Sequence, residues 1–168
     1  MSYYLLGGVR VRDSIDSINT LLVNSFNQIL TLEKMVLQKG PLSDLTLVEL
    51  HAIEAVTLSG STMSETAKRL RITVGTLTVT INRLVKKEYV LRTDNEGDRR
   101  IVNLMLTKKG KLAWKLHDRF HRHMVNSMLE GLKEDEHKIL IRSLESLVRF
   151  VEEQQESLSG KYIEEKKL

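Results

Sequence analysis

Apolar residues recur every three to four positions along most of this chain, which is the spacing of amphipathic helices. The pattern predicts six helices, at residues 13–39, 46–58, 62–70, 73–87, 107–129 and 134–155. Gly40 and Pro41 end the first helix, and Thr46 and Thr62 each stand three residues before a glutamate, which is the capping-box sequence of a helix start. The polar stretch at residues 157–168 is expected to be loose.

Two short strands are predicted after the fourth helix, at Tyr89–Thr93 and Arg100–Leu106. One of the two faces of the second strand is wholly apolar, and the residues between the strands, Gly97 among them, have the composition of a tight turn. The third and fourth helices are joined by a tight turn at Arg71-Ile72. Two short helices around such a turn, followed by a hairpin, predict a mostly α chain with a small β-hairpin wing, a winged helix-turn-helix.

Length and composition agree with one helical domain that has a core of its own. The chain has 168 residues, of which 41% are hydrophobic and one is proline. It has no cysteine, which excludes disulfides, thiolate zinc sites and thiol catalysis. No apolar run approaches the roughly 18–20 residues of a membrane span. The first residues lack the basic start of a signal peptide, so we expect a cytoplasmic protein without membrane contact.

Charge is distributed unevenly along the chain, although the formal net charge is only +4. The segment from Lys68 to Arg122 holds 15 lysine and arginine residues against 5 aspartate and glutamate residues, whereas the rest of the chain holds 11 against 17. A basic centre between acidic flanks fits a surface for an anionic partner, and it also fits a solvated helix face.

A winged helix-turn-helix favours double-stranded DNA as the anionic partner, because its second helix fits the major groove. Thr76, Thr80 and Arg83 lie on the outward face of that helix and are our candidates for reading bases. Threonine is a poor helix former, which favours DNA contacts over an ordinary helix surface. The candidates for phosphate contacts are Thr73, Thr78, Asn82, Lys68, Arg69, Arg71, Lys86 and Lys87.

The turn of the predicted wing carries two arginines. Arg99 is expected to enter the minor groove, where the negative potential of DNA is strongest. Arg100 has two interpretations, a contact with DNA or a salt bridge with Asp98 or Asp94.

Three segments carry a family resemblance that is specific when they are taken together. They are Thr73–Leu84 followed by Lys86-Lys87, the wing Asp98-Arg99-Arg100, and Leu106–Gly110 at the next helix start. On these residues the chain resembles the MarR-type winged-helix transcriptional regulators over nearly its whole length. Within that family, Thr73–Thr78 and Leu116–His121 resemble the repressors of fatty-acid biosynthesis of streptococci and lactic-acid bacteria. Glu88 departs from the pattern, because most members have glycine there. Glutamate tolerates a positive φ poorly, so the helix end is expected to differ locally.

The resemblance implies a homodimer that binds a palindromic operator, since one winged helix reads only a half-site. It also implies three segments: 1–40 with a dimerisation helix, 41–110 as the DNA-binding domain, and 111–168 with the C-terminal dimerisation helices and a polar tail. The first helix and the last two carry more apolar surface than one domain covers, and burial within one chain explains any single residue but not the set. The interface candidates are Ile15, Ile18, Leu22, Leu144, Leu147 and Val151.

A cluster of histidine and glutamate offers a metal site. His117 and His121 are four residues apart, which places both side chains on one helix face. Zinc-sensing members of the resembled family use a glutamate on the first helix, a histidine on the second and such a pair. Glu33, His51, His117 and His121 match those positions, although the sensors also use a cysteine that this chain lacks. The alternative is a hydrogen-bonded polar cluster without metal, so no cofactor is required and zinc stays an option.

The resemblance to the fatty-acid repressors also implies a corepressor, a long-chain acyl group on acyl carrier protein. Lys111, Lys115, Arg119 and Arg122 form a basic stripe that fits the acidic carrier, and a solvated face is the alternative. Five residues are expected to line an apolar slot for the acyl chain, with plain core packing as the alternative for each. They are Phe26, Leu30, Ile53, Trp114 and Met124.

Two other classes of function are disfavoured by the sequence. The chain has no nucleophile elbow, no phosphate loop and no Cys–His pair, and its HxxxH pair lacks the glutamate of zinc proteases, so we expect no enzyme. A nonspecific architectural nucleic-acid protein would bind any duplex equally, whereas the threonine-rich face favours sequence readout.

Overall fold

A computed structural model describes residues 5–6, 9–94 and 101–165, and the side chains within 13–93 and 101–158. The helices are α1 Val11–Lys39, α2 Leu47–Val56, α3 Met63–Leu70, α4 Val74–Lys86, α5 Lys108–Leu129 and α6 Glu134–Glu165. The strands are β1 Leu5–Leu6, β2 Val9–Arg10, β3 Ser61–Thr62, β4 Val90–Asp94 and β5 Val102–Leu106. The predicted mostly helical chain with a winged helix-turn-helix is confirmed.

The predicted helices agree with the structure within two residues at every end except the last. α6 continues to Glu165, so the expectation of a loose segment is wrong for residues 157–165. That stretch contains no proline, and the single Gly160 costs a helix only about 1 kcal/mol, which is too little to stop it. The strand β3 is a further difference, because two residues are too few to show a periodic pattern.

Capping boxes start the two helices that carry the predicted signature. The Thr46 side chain accepts the Glu49 backbone N–H at 3.3 Å, and the Glu49 carboxylate accepts the Thr46 N–H at 2.8 Å. Thr62 and Glu65 repeat this arrangement at 3.1 Å and 2.8 Å before α3. These reciprocal bonds satisfy backbone donors that a helix start otherwise leaves unpaired.

The wing strands belong to a three-stranded antiparallel sheet in the order β3-β5-β4. Val90 pairs with Leu106 and Asp94 with Val102, while Ser61 pairs with Leu104. Leu104 and Leu106 are buried and the residue between them is exposed, which confirms the predicted alternation. The sheet therefore lays one apolar face on the core.

A hydrophobic core lies beneath the helix-turn-helix. The side chains without exposed surface include Ile53 and Val56 of α2, Leu77 and Ile81 of α4, and Tyr89 before β4. Burial of this apolar face fixes the rotation of α4 about its own axis. The opposite face of the helix is therefore directed to the solvent.

The chain divides into two compact units, Met1–Arg119 and Phe120–Leu168, with the division inside α5. The three segments expected from the sequence stay a prediction. In the second unit, α6 exposes large apolar side chains, among them Ile141, Val148 and Phe150.

None of the helices in the described part of the chain is both long enough and apolar enough to cross a membrane.

Candidate nucleic-acid interface

The turn between α3 and α4 is closed by a residue in the left-handed conformation. Arg71 has a φ of 55°. Its N–H and that of the next residue donate to two carbonyl groups of α3 at 3.1 Å, which is the Schellman closure of a helix end. Thr73 then caps α4 by accepting the Thr76 N–H at 3.1 Å. The chain thus changes direction within the three residues between α3 and α4, as the helix-turn-helix requires.

α4 is the helix that a winged helix-turn-helix presents to the major groove. Its fully buried residues are Leu77, Ile81 and Leu84, and its exposed residues are Val74, Gly75, Thr76, Val79, Asn82, Arg83 and Lys86. Of the candidates for reading bases, Thr76 and Arg83 are exposed and Thr80 is half-buried. Sequence reasoning did not single out Gly75 or Val79, because neither residue type donates or accepts hydrogen bonds through its side chain.

Two of the threonine hydroxyls of α4, those of Thr76 and Thr78, already make bonds within the helix or with its N-cap. Thr73 Oγ1 lies 2.9 Å from Thr76 Oγ1 in addition to its capping bond. Thr78 Oγ1 donates to the Val74 carbonyl at 2.8 Å. Because a hydroxyl has only one proton to donate, Thr78 must give up this bond to donate to a phosphate.

Asn82 connects the recognition helix α4 to the wing. Arg92 Nη1 in β4 donates to Asn82 Oδ1 at 2.8 Å. This bond leaves the two N–H groups of the Asn82 amide as donors on the exposed face. Sequence reasoning missed Arg92, because only the strand pairing places this exposed basic residue beside α4.

Two residues predicted to contact phosphates have other partners in the structure. Arg69 Nη1 donates to the Ala55 carbonyl at 2.7 Å, so its guanidinium ties α3 to the end of α2. Lys87 Nζ donates to both carboxylate oxygens of Glu49 at 2.8 Å and 2.9 Å, and to the Asp44 carbonyl at 2.6 Å. These bonds hold the helices together and compete with a phosphate contact, so the phosphate role of both residues stays a prediction.

The carboxylate that receives Lys87 is almost completely buried. The Glu49 side chain is 2% exposed. Its burial raises the pKa, but the hydrogen bonds from Lys87 and Thr46 outweigh that effect and hold the pKa of Glu49 below its ordinary value. Glu49 is therefore a buried anion that the lysine at the C-terminal end of α4 stabilises.

A second polar group continues this network to the start of α5. The Tyr89 hydroxyl donates to Asp44 Oδ1 at 2.7 Å, and Lys109 Nζ donates to Asp44 Oδ2 at 3.1 Å. The same Lys109 Nζ lies 4.1 Å from the centroid of the Tyr89 ring. Burial and the neighbouring Asp44 raise the pKa of Tyr89 well above its ordinary range. Burial also acts to raise the pKa of Asp44, but the bonds from Tyr89 and Lys109 lower it on balance.

The end of α4 does not differ in the way expected from Glu88. This residue has a φ of 63°, the left-handed conformation in which a glycine is comfortable. The Tyr89 N–H donates to the Leu84 carbonyl at 2.9 Å, and the Glu88 N–H donates to the Val85 carbonyl at 3.0 Å. Glu88 therefore adopts the strained left-handed conformation, and α4 ends with the same hydrogen bonds that a glycine at this position would allow.

Four of the five basic candidates for phosphate contacts are exposed. They are Lys68, Arg69, Arg71 and Lys86, whereas Lys87 is half-buried. The wing candidates Arg99 and Arg100 lie outside the described residues. Exposed basic side chains on α3, on α4 and in the turn between them suit an anionic partner such as a nucleic acid.

Three of the four predicted metal residues meet within the first compact unit. Glu33 is 5% exposed, with its Oε1 3.4 Å from His117 Nε2 and its Oε2 3.7 Å from His51 Nε2. His117 Nδ1 lies 3.5 Å from Glu54 Oε2, a partner that the sequence did not predict. His121 lies one turn after His117 on α5, in the second unit. Ligand atoms of a tetrahedral zinc site are about 3.3 Å apart, so the three residues of the first unit fit zinc as well as a polar cluster.

The residues of the predicted acyl slot differ in their exposure, and the slot stays a prediction. Ile53 has no exposed surface and packs in the hydrophobic core, so the structure assigns it to the core instead. Phe26 and Leu30 are more than half exposed on α1, and Trp114 is half-buried against the core. Met124 is half-buried in the second unit.

The predicted carrier-binding stripe is exposed along α5. Its members are Lys111, Lys115, Arg119 and Arg122. They recur at steps of three or four residues and therefore share one side of the helix.

The predicted dimer residues are largely uncovered within one chain. Ile15 and Ile18 on α1 are 61% and 63% exposed. Leu144 and Val151 on α6 are 44% and 40% exposed. Leu22 and Leu147 are half-buried. Large apolar side chains in such rows mark surfaces that associate with another protein surface.

Comparison with known proteins supports the family assignment. The sequence model of the MarR family matches residues 45–102, and no curated protein sequence matches the chain. The crystal structure of Streptococcus pneumoniae FabT in complex with DNA is 36% identical, with a TM-score of 0.76, over 83% of this chain and 98% of that chain.

Two more distant structures share the fold. BldR from Sulfolobus solfataricus is 22% identical with a TM-score of 0.59, over 84% of this chain and 99% of that chain. MepR of S. aureus, solved as a DNA complex, is 19% identical with a TM-score of 0.64, over 79% of this chain and 96% of that chain. The identity to FabT over nearly the whole length of that protein decides the assignment, and the chain belongs to the MarR family of winged-helix regulators.

Proposed function

We propose that this protein is a transcriptional repressor that binds a palindromic DNA operator as a homodimer. The proposal rests on the exposed face of α4, which includes Thr76, Asn82 and Arg83. The opposite face of this helix is buried in the hydrophobic core. Arg and Asn are the residue types that pair with base edges in the major groove. The 36% identical FabT was crystallised with DNA, which supports the same partner here.

Dimerisation follows from the need to read two half-sites and from the exposed apolar rows of α1 and α6. Ile15 and Ile18 alone leave more than half of their surface open in a single chain. A twofold dimer covers such surface and presents two recognition helices to successive major grooves.

The genes of fatty-acid synthesis are the proposed targets, with long-chain acyl-acyl carrier protein as the corepressor. The identity to FabT and the exposed basic stripe of α5 support this. The carrier would bind better to the dimer whose recognition helices match the operator spacing, and it would tighten DNA binding by shifting the population toward that form.

The test is a DNA-binding titration in the presence of a chelator. A palindromic operator from a lipid-synthesis operon is compared with a scrambled duplex, with and without long-chain acyl carrier protein. We expect preference for the operator and tightening by the acylated carrier but not by the unacylated one. Equal affinity for both duplexes would instead indicate an architectural protein, and an unchanged affinity with the carrier would refute the corepressor.

A pair of charge-matched variants tests the role of α4. Arg83→Ala and Lys138→Ala each remove one exposed positive charge. Loss of a base contact worth about 1–3 kcal/mol predicts at least a fivefold weaker affinity for Arg83→Ala. Lys138→Ala, on α6, is expected to stay within about twofold of the wild type. Equal losses in the two variants would show that only net charge matters.

A zinc-responsive repressor is the second candidate, favoured by the contacts of Glu33 with His51 and His117. If zinc binds, Glu33, His51 and His117 would hold it, and the bound ion would fix the positions of the three helices that carry them. Calorimetric titration with zinc is expected to show binding that Glu33→Gln abolishes and that His123→Ala, which replaces an exposed histidine outside the cluster, leaves intact. Absence of heat with the wild type would exclude this candidate and leave the cluster as a polar contact.

A further inference from the structure

The exposed face of α4 carries Gly75 and Val79, to which the function above assigns no role. Gly75 and Val79 are four residues apart, so they lie one above the other on the same side of the helix. Val79 is 55% exposed and has Asn82 and Arg83 on the next turn. We call this pair the Gly75/Val79 strip.

Nothing in the described part of the chain requires glycine at position 75. A Cβ built there meets only Thr73 Oγ1 at 3.8 Å, which is an ordinary van der Waals distance, and the backbone is not left-handed. Gly75 is the second residue of α4, where glycine is still less favourable than alanine, although by less than in a helix interior. Gly110 is different, because a Cβ there would collide with the carbonyl oxygen of Tyr89. A glycine without an internal reason indicates close approach by another molecule.

Val79 is equally unexplained by the packing of the chain itself. A β-branched residue is a weak helix former, and its side chain here is more than half open to solvent. Its neighbours on the exposed face, Thr76 and Arg83, are hydrogen-bonding residues suited to base edges. The apolar group that a base pair offers in the major groove is the 5-methyl group of thymine.

We propose that the Gly75/Val79 strip packs against thymine 5-methyl groups of the operator, with Gly75 allowing the first turn of α4 to come close to the bases. The inference rests on the proposed DNA binding and deepens it, because it names the base that this part of the helix selects. Gly75 lies in the first turn of α4, and the first residues of a recognition helix are those that reach the base edges.

Replacing single thymines of one operator half-site by deoxyuridine tests the proposal, because this change removes only the 5-methyl group. For wild-type protein we expect about a fourfold loss of affinity at one or two of these positions, the value of one buried methyl group. Val79→Ala is expected to bind the thymine operator more weakly and to lose its sensitivity to deoxyuridine. Val74→Ala, which truncates another exposed valine of α4, is expected to keep the full sensitivity.

Gly75→Ala supplies an independent readout. We expect its melting temperature to rise, because alanine favours the helix, while its affinity for the operator falls at least tenfold through a clash with the DNA. An unchanged affinity would overturn the role of Gly75. If no deoxyuridine position affects the wild type although it still prefers the operator over scrambled DNA, the strip proposal is wrong and the proposed function stands. If the wild type does not prefer the operator, the proposed function itself fails.

Discussion

Lys87→Met tests whether the charge at the end of α4 serves the fold or the DNA. The substitution keeps the length of the apolar stem and removes an ammonium group that lies 2.8 Å from a carboxylate oxygen of Glu49. The Glu49 side chain is 2% exposed and that of Lys87 is 31% exposed. The change therefore leaves a buried anion without its cation.

The contacts of Lys87 and Glu49 determine how much stability the substitution removes. Removing one partner of a buried ion pair costs about 3–5 kcal/mol. Here Lys87 is partly solvated, and Glu49 keeps its two bonds from the backbone and hydroxyl of Thr46 at 2.8 Å and 3.0 Å. We therefore expect Lys87→Met to lower the free energy of unfolding by about 2–3 kcal/mol at neutral pH.

Urea unfolding followed by circular dichroism measures this loss, at a fixed protomer concentration because association affects apparent stability. Lys86→Met is the matched control, since Lys86 is the adjacent lysine and is exposed. We expect its stability to stay within about 0.5 kcal/mol of the wild type. DNA binding should show the opposite order of effects. The slope of the logarithm of affinity against the logarithm of salt concentration should become smaller by about one unit for Lys86→Met and stay unchanged for Lys87→Met.

The pH dependence gives a second check on the same pair. The pKa of Glu49 is lowered in the folded protein, so its contribution to stability is present above the ordinary value of 4.5 and is lost as the pH falls through the folded pKa. The stability difference between wild type and Lys87→Met should accordingly shrink below pH 4.5. A difference under about 0.5 kcal/mol at neutral pH, or strict additivity of Lys87→Met and Glu49→Gln in a double-mutant cycle, would refute the ion-pair argument.

Three further substitutions probe the backbone and the network around the wing. Gly110→Ala should lower stability by about 2 kcal/mol in thermal unfolding, because its Cβ would collide with the Tyr89 carbonyl oxygen; a higher melting temperature would contradict this. Glu88→Gly should raise stability by about 0.5–1 kcal/mol in urea unfolding, since it relieves a positive φ, and a loss would show that the glutamate side chain is needed. Tyr89→Phe should cost about 1 kcal/mol and raise the pKa of the partly exposed Asp44 carboxyl, as measured by NMR titration; an unmoved pKa would disprove their hydrogen bond.

Local patterns were sufficient for the elements and for the helix-turn-helix. The two capping boxes, the apolar stripe of α4 and the alternation of β5 each involve residues a few positions apart, so their sequence signals survive into the structure. The exposed candidates Thr76 and Arg83 followed directly from that stripe. The prediction missed β3, because two residues are too few to show a pattern. It also ended α6 too early, because a helix end was expected although no proline stands there.

The amino-acid sequence alone determined the family, the order of elements and the face of α4 that points outward, because these depend on spacing along the chain. Tertiary packing decided which charges remain for a partner. Lys87 meets Glu49 from 38 positions away, and Arg69 meets the Ala55 carbonyl from 14 positions away. Glu33 gathers His51 and His117 from two other helices. A charged side chain near a buried polar group is drawn into that contact because burial without a partner is costly, and only the packed helices reveal which partner is within reach.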